Sequence, residues 1–198
     1  MLRKLTVKFI LTIFILTIVA CGGLRFSQSA PEAVNFHPKR IAVFPIEVWN
    51  HKEADSRAVV EQIVAGSLVE KKFFDHVTDV ESLQKQINEN EELRNVKNEY
   101  FSKLRMLTFS DPDLSKRMGN LANIDAFLLV SVEEWKYTAQ GDNKTAQVAL
   151  NMELYDASNG KLMWKAGHSI IDEYVLIKPE LPKVARDVAR KMIDYMPH

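Results

Sequence analysis

Residues 126–132 read Ala-Phe-Leu-Leu-Val-Ser-Val, a run with no charge and a single hydroxyl. A short apolar run of this kind is the mark of a strand buried on both faces. Residues 145–155 follow with a different pattern, in which Ala146, Val148, Leu150, Met152 and Leu154 alternate with other residues. Leu162, Trp164 and Ala166 then alternate over 161–167, which places Trp164 in the core beside Leu162. Between these two stretches stands Ser158-Asn159-Gly160, a turn sequence. The segment therefore predicts one buried central strand followed by an antiparallel meander.

Upstream, Arg40-Ile-Ala-Val-Phe-Pro-Ile46 is a second buried-strand candidate, with Pro45 near its end because proline cannot donate to a ladder. Residues 53–72 have helical spacing, with Val60, Ile63, Val64 and Leu68 on one stripe. Phe73–Thr78 reads as a further strand. Val80, Leu83 and Ile87 begin another helix, and Val96, Tyr100, Leu104 and Leu107 continue helical spacing beyond it. Ser110-Asp111-Pro112 is a helix start, a capping residue followed by proline in the first turn. At the end of the chain, Leu181, Val184, Val188 and Met192 line one side of a helix over 181–196. The order is β-α-β-α-α-β-β-β-α. It predicts an α/β domain over 39–198, a mixed sheet of about five strands covered by helices.

Ahead of the domain, Arg3, Lys4 and Lys8 precede the apolar stretch Phe9–Ala20. A basic segment followed by about 7–15 apolar residues is the anatomy of a secretory signal. The stretch ends Ile18-Val19-Ala20-Cys21-Gly22, which resembles the lipobox of bacterial lipoproteins. Cys21 is the only cysteine of the chain. Its thiolate is the one side-chain group there able to take a diacylglycerol through a thioether. The expected organisation is a signal peptide over 1–20, lipidated Cys21 with a flexible linker over 21–38, and the domain. Gly22 rather than Asp after the cysteine favours the outer membrane by the same resemblance. Gly, Ser and Pro punctuate residues 22–38, and the 17 residues would span roughly 55–60 Å when fully extended.

Composition excludes several classes. The 198 residues carry 26 basic and 26 acidic side chains, without the basic excess expected of a nucleic-acid binder. One cysteine rules out an internal disulfide framework and a multi-cysteine metal site. His37, His51, His76, His168 and His198 include no pair at metal-ligand helical spacing. No nucleophile elbow or glycine-rich phosphate loop is present. The carboxylate pairs Glu133-Glu134 and Asp172-Glu173 are each adjacent on a strand, which points their members to opposite faces. No catalytic residue, metal or cofactor is expected beyond the covalent lipid on Cys21.

Three segments carry a resemblance to a known family: Lys39–Ile46, Leu121–Val132, and Leu154-Tyr-Asp-Ala-Ser-Asn-Gly-Lys-Leu-Met-Trp164. They resemble segments of the CsgG/LpoB-like envelope lipoproteins, a group that includes a curli secretion channel and peptidoglycan-synthase activators. The resemblance implies a fold like the N-terminal domain of TolB and a non-enzymatic role in an outer-membrane secretion or envelope-assembly complex. Expected partners are the membrane, through the anchor, and envelope proteins or further copies of the chain. Two features depart from the group. Residues 88–113 are polar and helical in pattern, unlike a spanning hairpin. The linker is also short for reaching a synthase in the opposite membrane. An activator of peptidoglycan synthesis, and a hydrolase using Glu133, Glu134, Asp172 or Glu173, remain the alternatives.

Ligands of open parallel sheets gather at the carboxyl ends of the strands. Trp49 and His51 follow the first strand, and Trp135 and Tyr137 follow the central one. They are the candidate partner-binding residues, as an exposed aromatic patch. The other reading makes the tryptophans lids on the core. Lys183, Arg186 and Arg190 form a basic ridge on the last helix, suited to an anionic surface or to solvent.

Overall fold

The structure is a computed structural model that describes residues 24–45, 47–48, 56–141 and 143–198. The anticipated central strand is β5 (Ala126–Gln140), longer than its apolar run. It pairs in parallel with β2 (Arg40–Val43), Ala42 opposite Phe127, and farther along with the two-residue β3 (Glu47–Val48). On its other side it pairs antiparallel with β6 (Asn143–Asp156), which pairs with β7 (Leu162–Tyr174). β4 (His76–Thr78) lies parallel to β2. The sheet is mixed, as expected, with the order β1-β7-β6-β5-β2-β4 and β3 beside β5.

Two strands exceed the expected count of about five. One is β3. The other, β1 (Phe26–Ser29), comes from the predicted linker and pairs antiparallel with β7, Phe26 opposite Gly167. A 3-10 turn over Pro31–Asn35 follows it. The ordered fold thus starts within 21–38, ahead of the expected boundary at residue 39. The physical reason is non-local. Phe-Ser-Gln-Ser carries no period of its own, yet the indole Nε1 of Trp164 donates to Ser27 Oγ at 2.9 Å. Gly167 leaves its Cβ space to the Phe26 ring, and Glu32 pairs with Lys161 at 2.5 Å.

Helices cover both faces. On one face, α1 (Ser56–Lys71) and α5 (Leu181–Ile193) bury Val60, Val64 and Leu68 with Val184, Val188 and Met192 against Leu128, Val130 and Leu150. On the other, α2 (Val80–Glu89), α3 (Glu91–Leu107) and α4 (Pro112–Ala122) enclose Phe44, Phe127 and Tyr155 with Leu83, Tyr100 and Met118. Each such side chain contributes about 1.5–3 kcal/mol of transfer free energy. Side-chain caps set the helix starts: Asp79 accepts from Ser82 N, Asn90 from Leu93 N, and Asp111 from Leu114 N. The Asp111 start is the one read from Ser110-Asp111-Pro112.

Two bulges change which side chains face inward. Tyr155 pairs with Leu162 while Leu154 pairs with Trp164, so Met163 is an extra residue. Trp164 is fully buried as expected, Met163 is buried, and Leu162 is turned out to 36% exposure instead of sharing the inner face. The second bulge lies between Val132 and Glu134. It interrupts the strict alternation expected at Glu133 and Glu134.

Candidate functional site

The bulge at Glu133 decides where the aromatic residues of β5 go. Val132 and Trp135 are three apart, which on an unbroken strand would place them on opposite faces. With the extra residue between them, Trp135 packs against the same core as Val132. Trp135 is half-buried there. Tyr137 comes next on that face, opposite Ala146 and hence Asp172, and is 37% exposed. Of the expected patch, the structure joins Trp135 and Tyr137 on one face. Trp49 and His51 lie outside the described residues, as does Cys21.

Tyr137 holds the loop that leaves β7. Its hydroxyl donates to the Pro179 carbonyl oxygen at 2.8 Å. The Lys178 ammonium sits 3.4 Å from its ring centroid, a cation–π contact. The Tyr174 ring meets it edge-on at 6.4 Å. The loop fixed in this way presents Val175, Leu176 and Ile177 at 79%, 92% and 86% exposure. Three consecutive apolar side chains pinned outward mark an interaction site better than scattered ones do. A run this short has no period, so sequence patterning could not assign it a face.

The chain enters the fold toward the same end. β1 is antiparallel to β7, so residues preceding Phe26 head in the direction in which β7 runs to Tyr174. Leu24 packs on the core. Arg25 donates to Glu133 at 2.6 Å and to Asn151 at 3.1 Å, and Asn151 donates to Glu133 at 2.5 Å. Burial pushes the Glu133 carboxyl up, but the hydrogen bonds from Asn151 and Arg25 outweigh it and hold the group below its ordinary value. Glu133 is therefore an anchored carboxylate rather than a proton donor. Glu134 pairs with Lys136 at 2.6 Å. Asp172 and Glu173 are exposed near the end of β7.

A second surface lies across the sheet. A groove of about 860 Å³ separates α3 from the strands, with Phe44, Phe101, Leu104 and Leu129 on its apolar side. The Glu153–Lys165 pair, at 2.8 Å, is on its polar side. Lys97 at its rim is held below the usual lysine range by burial. The helix walling the groove ends in Met106 and Leu107, followed by Phe109, at 80%, 68% and 51% exposure. The basic ridge is partly engaged: Arg190 pairs with Glu70 of α1 at 2.6 Å, while Lys183 and Arg186 are exposed. Among the described residues no group of three His, Cys, Asp or Glu side chains converges as a metal site, and no helix is long and apolar enough to cross a membrane.

No protein-family model matches the sequence, and no curated protein matches it by sequence. Solved structures match the fold. A PelC dodecamer from Paraburkholderia phytofirmans aligns with TM-score 0.57 at 18% identity, over 87% of this chain and 98% of that one. The hypothetical protein CT253 from Chlamydia trachomatis aligns with TM-score 0.52 at 8% identity, over 78% and 93%. The lipoprotein GNA1162 from Neisseria meningitidis aligns with TM-score 0.48 at 16% identity, over 79% and 99%.

Proposed function

We propose that the protein is a lipid-anchored cell-envelope protein of the outer membrane, whose domain is a non-enzymatic interaction module in a secretion or envelope-assembly complex. The observation that carries this reading is the spacing of Cys21 and β1. The first strand begins only five residues after the lipobox cysteine. Acylation at Cys21 would therefore hold the domain at its own membrane, with its surfaces offered to neighbours there. The shorter leash weighs against the activator reading, which needs reach across the periplasm.

The apolar end of α3 is the surface we assign to protein partners. Met106, Leu107 and Phe109 adjoin a groove with apolar and charged sides, the composition of a protein interface. Copies of the same chain are the first partner to consider, because the fold is shared with a protein that forms a dodecamer.

The test is in-cell crosslinking of the full-length protein, followed by membrane fractionation. Wild type is expected in the outer-membrane fraction with crosslinks to itself or to envelope proteins. Cys21→Ser should leave that fraction. Met106→Asp with Phe109→Asp should stay in it and lose the crosslinks. Recovery of a peptidoglycan synthase as the chief partner would replace this reading with the activator one.

A further inference from the structure

The loop Val175–Ile177 has no partner within the described fold, and its position narrows what could cover it. It follows directly from the end of β7, and the chain ahead of Phe26 runs toward that same end. Phe26 stands five steps along the chain from Cys21, a reach of at most roughly 18 Å. From Gly167, the partner of Phe26, to Tyr174 is seven steps along β7, or roughly 24 Å. A lipid on Cys21 can therefore enter a bilayer while the loop, just past Tyr174, stands at or beyond the level of that lipid's attachment.

We infer that Val175, Leu176 and Ile177 dip into the lipid surface that receives the Cys21 anchor, so that the domain stands on the membrane by two contacts. This inference rests on the anchoring reading above. The side chains around the loop suit a membrane interface. Tyr137 and Tyr174 flank it as amphipathic rings, and Lys178 lies along the Tyr137 ring. Charge at this end is mixed, with Lys144 and Lys178 against Asp172, Glu173 and Glu180. Insertion is thus driven by apolar burial and should depend little on salt or on anionic lipid. The occupant is the bilayer rather than a protein because the anchor fixes this end at that surface. Apolar faces of peripheral proteins enter about 5–10 Å into the interface, a depth three consecutive side chains can fill.

The test uses full-length Leu176→Cys, expressed in a bacterium that matures lipoproteins, reacted with an environment-sensitive maleimide dye and reconstituted into phosphatidylcholine vesicles. Full-length Val34→Cys is the control. Val34 is 78% exposed in the 3-10 turn beyond the other end of β1. A thioether on Cys21 leaves one free thiol per chain, so the number of labels reads the anchor independently of the loop. The expected result is one label per chain, blue-shifted emission at position 176 that nitroxide lipids quench, and water-like emission at position 34. Adding salt should not reverse it. One label with water-like emission at 176 overturns the docking and leaves the anchor standing. One label with a blue shift that nitroxide lipids fail to quench means a protein covers the loop, and also overturns the docking. Two labels per chain mean that Cys21 is free, and overturn the anchor and the docking together.

Discussion

Tyr137 grips the loop after β7 at two points: its ring lies 3.4 Å from the Lys178 ammonium, and its hydroxyl donates to the Pro179 carbonyl at 2.8 Å. The bulge at Glu133 puts this tyrosine on the face where the loop passes. A net hydrogen bond contributes about 0.5–1.5 kcal/mol, and an exposed cation–π contact about 0.5–1 kcal/mol. Tyr137→Phe should therefore loosen the loop modestly, and Tyr137→Leu should loosen it more. Hydrogen exchange over residues 175–178 should rise in that order while exchange in the β5 core segment 126–132 stays unchanged. Equal exchange in all three proteins would remove Tyr137 from the role of clamp.

His168 gives the fold a pH dependence. It is 8% exposed, and neither ring nitrogen has a hydrogen-bond partner. Burial, with the Lys191 and Arg25 cations nearby, lowers its pKa below 6.5. The unfolded chain therefore binds this proton more readily than the folded one. Stability is full above about pH 6.5 and falls as pH drops from there toward the folded-state value. Denaturant midpoints of wild type should decrease between pH 7 and pH 5. His168→Leu should flatten that decline, and an unchanged slope would assign it to other groups.

Gly167 and Gly66 should respond in opposite directions to alanine. A Cβ at Gly167 would run into the Phe26 ring and lie 2.5 Å from Asn151 Oδ1. Overpacking of this kind costs about 1–3 kcal/mol. Limited proteolysis should then cut Gly167→Ala near residues 26–38 well before the wild type. Gly66 is exposed on α1, with nothing within 4 Å of the place a Cβ would take. Gly66→Ala should raise stability by about 0.5–1 kcal/mol through helix propensity, measurable as a higher Tm.

Asp125 ties β2 to the start of β5. It accepts from Arg40 Nη2 at 2.5 Å and from the backbone N–H groups of Arg40 at 2.9 Å and Lys39 at 3.1 Å. The Arg40 guanidinium, with these amides, holds its carboxyl below the usual aspartate value. Its contribution is therefore present at neutral pH and lost as pH falls through that lowered value. Hydrogen bonds to charged groups are worth about 1.5–3 kcal/mol, and the part-exposed setting favours the lower end. Asp125→Ala should cost about 1–2 kcal/mol at pH 7, with the deficit shrinking in acid. A deficit that holds constant down to pH 2 would mean that packing, not charge, is lost.

Much of this architecture was legible because its signals are local. Ala126–Val132 is apolar on both faces, Ser158-Asn159-Gly160 marks the turn between β6 and β7, and Asp111-Pro112 opens α4. Trp164 fell on the buried face as its alternation requires. What stayed hidden depends on partners distant in sequence. β1 is polar and becomes a strand only because β7 offers Gly167 and Trp164. The bulges at Glu133 and Met163 each shift one face, turning Leu162 outward and keeping Trp135 inward. Tyr137 was recognisable as an aromatic beyond the central strand. Its grip on Lys178 and Pro179 was not, since Lys178 and Pro179 lie some forty residues away in a loop too short to carry a pattern.

The pairing of β1 with β7 also sets how the domain bears load. Tension on the chain ahead of Phe26 pulls along the axis of β1, against an antiparallel neighbour, so the ladder from Phe26 to Ser29 is strained in shear rather than unzipped one bond at a time. The Ser27–Trp164 hydrogen bond and the Phe26 ring over Gly167 lie within that same short ladder. A pull on the chain ahead of Phe26 would thereby be passed through this ladder into β7 and the buried Trp164.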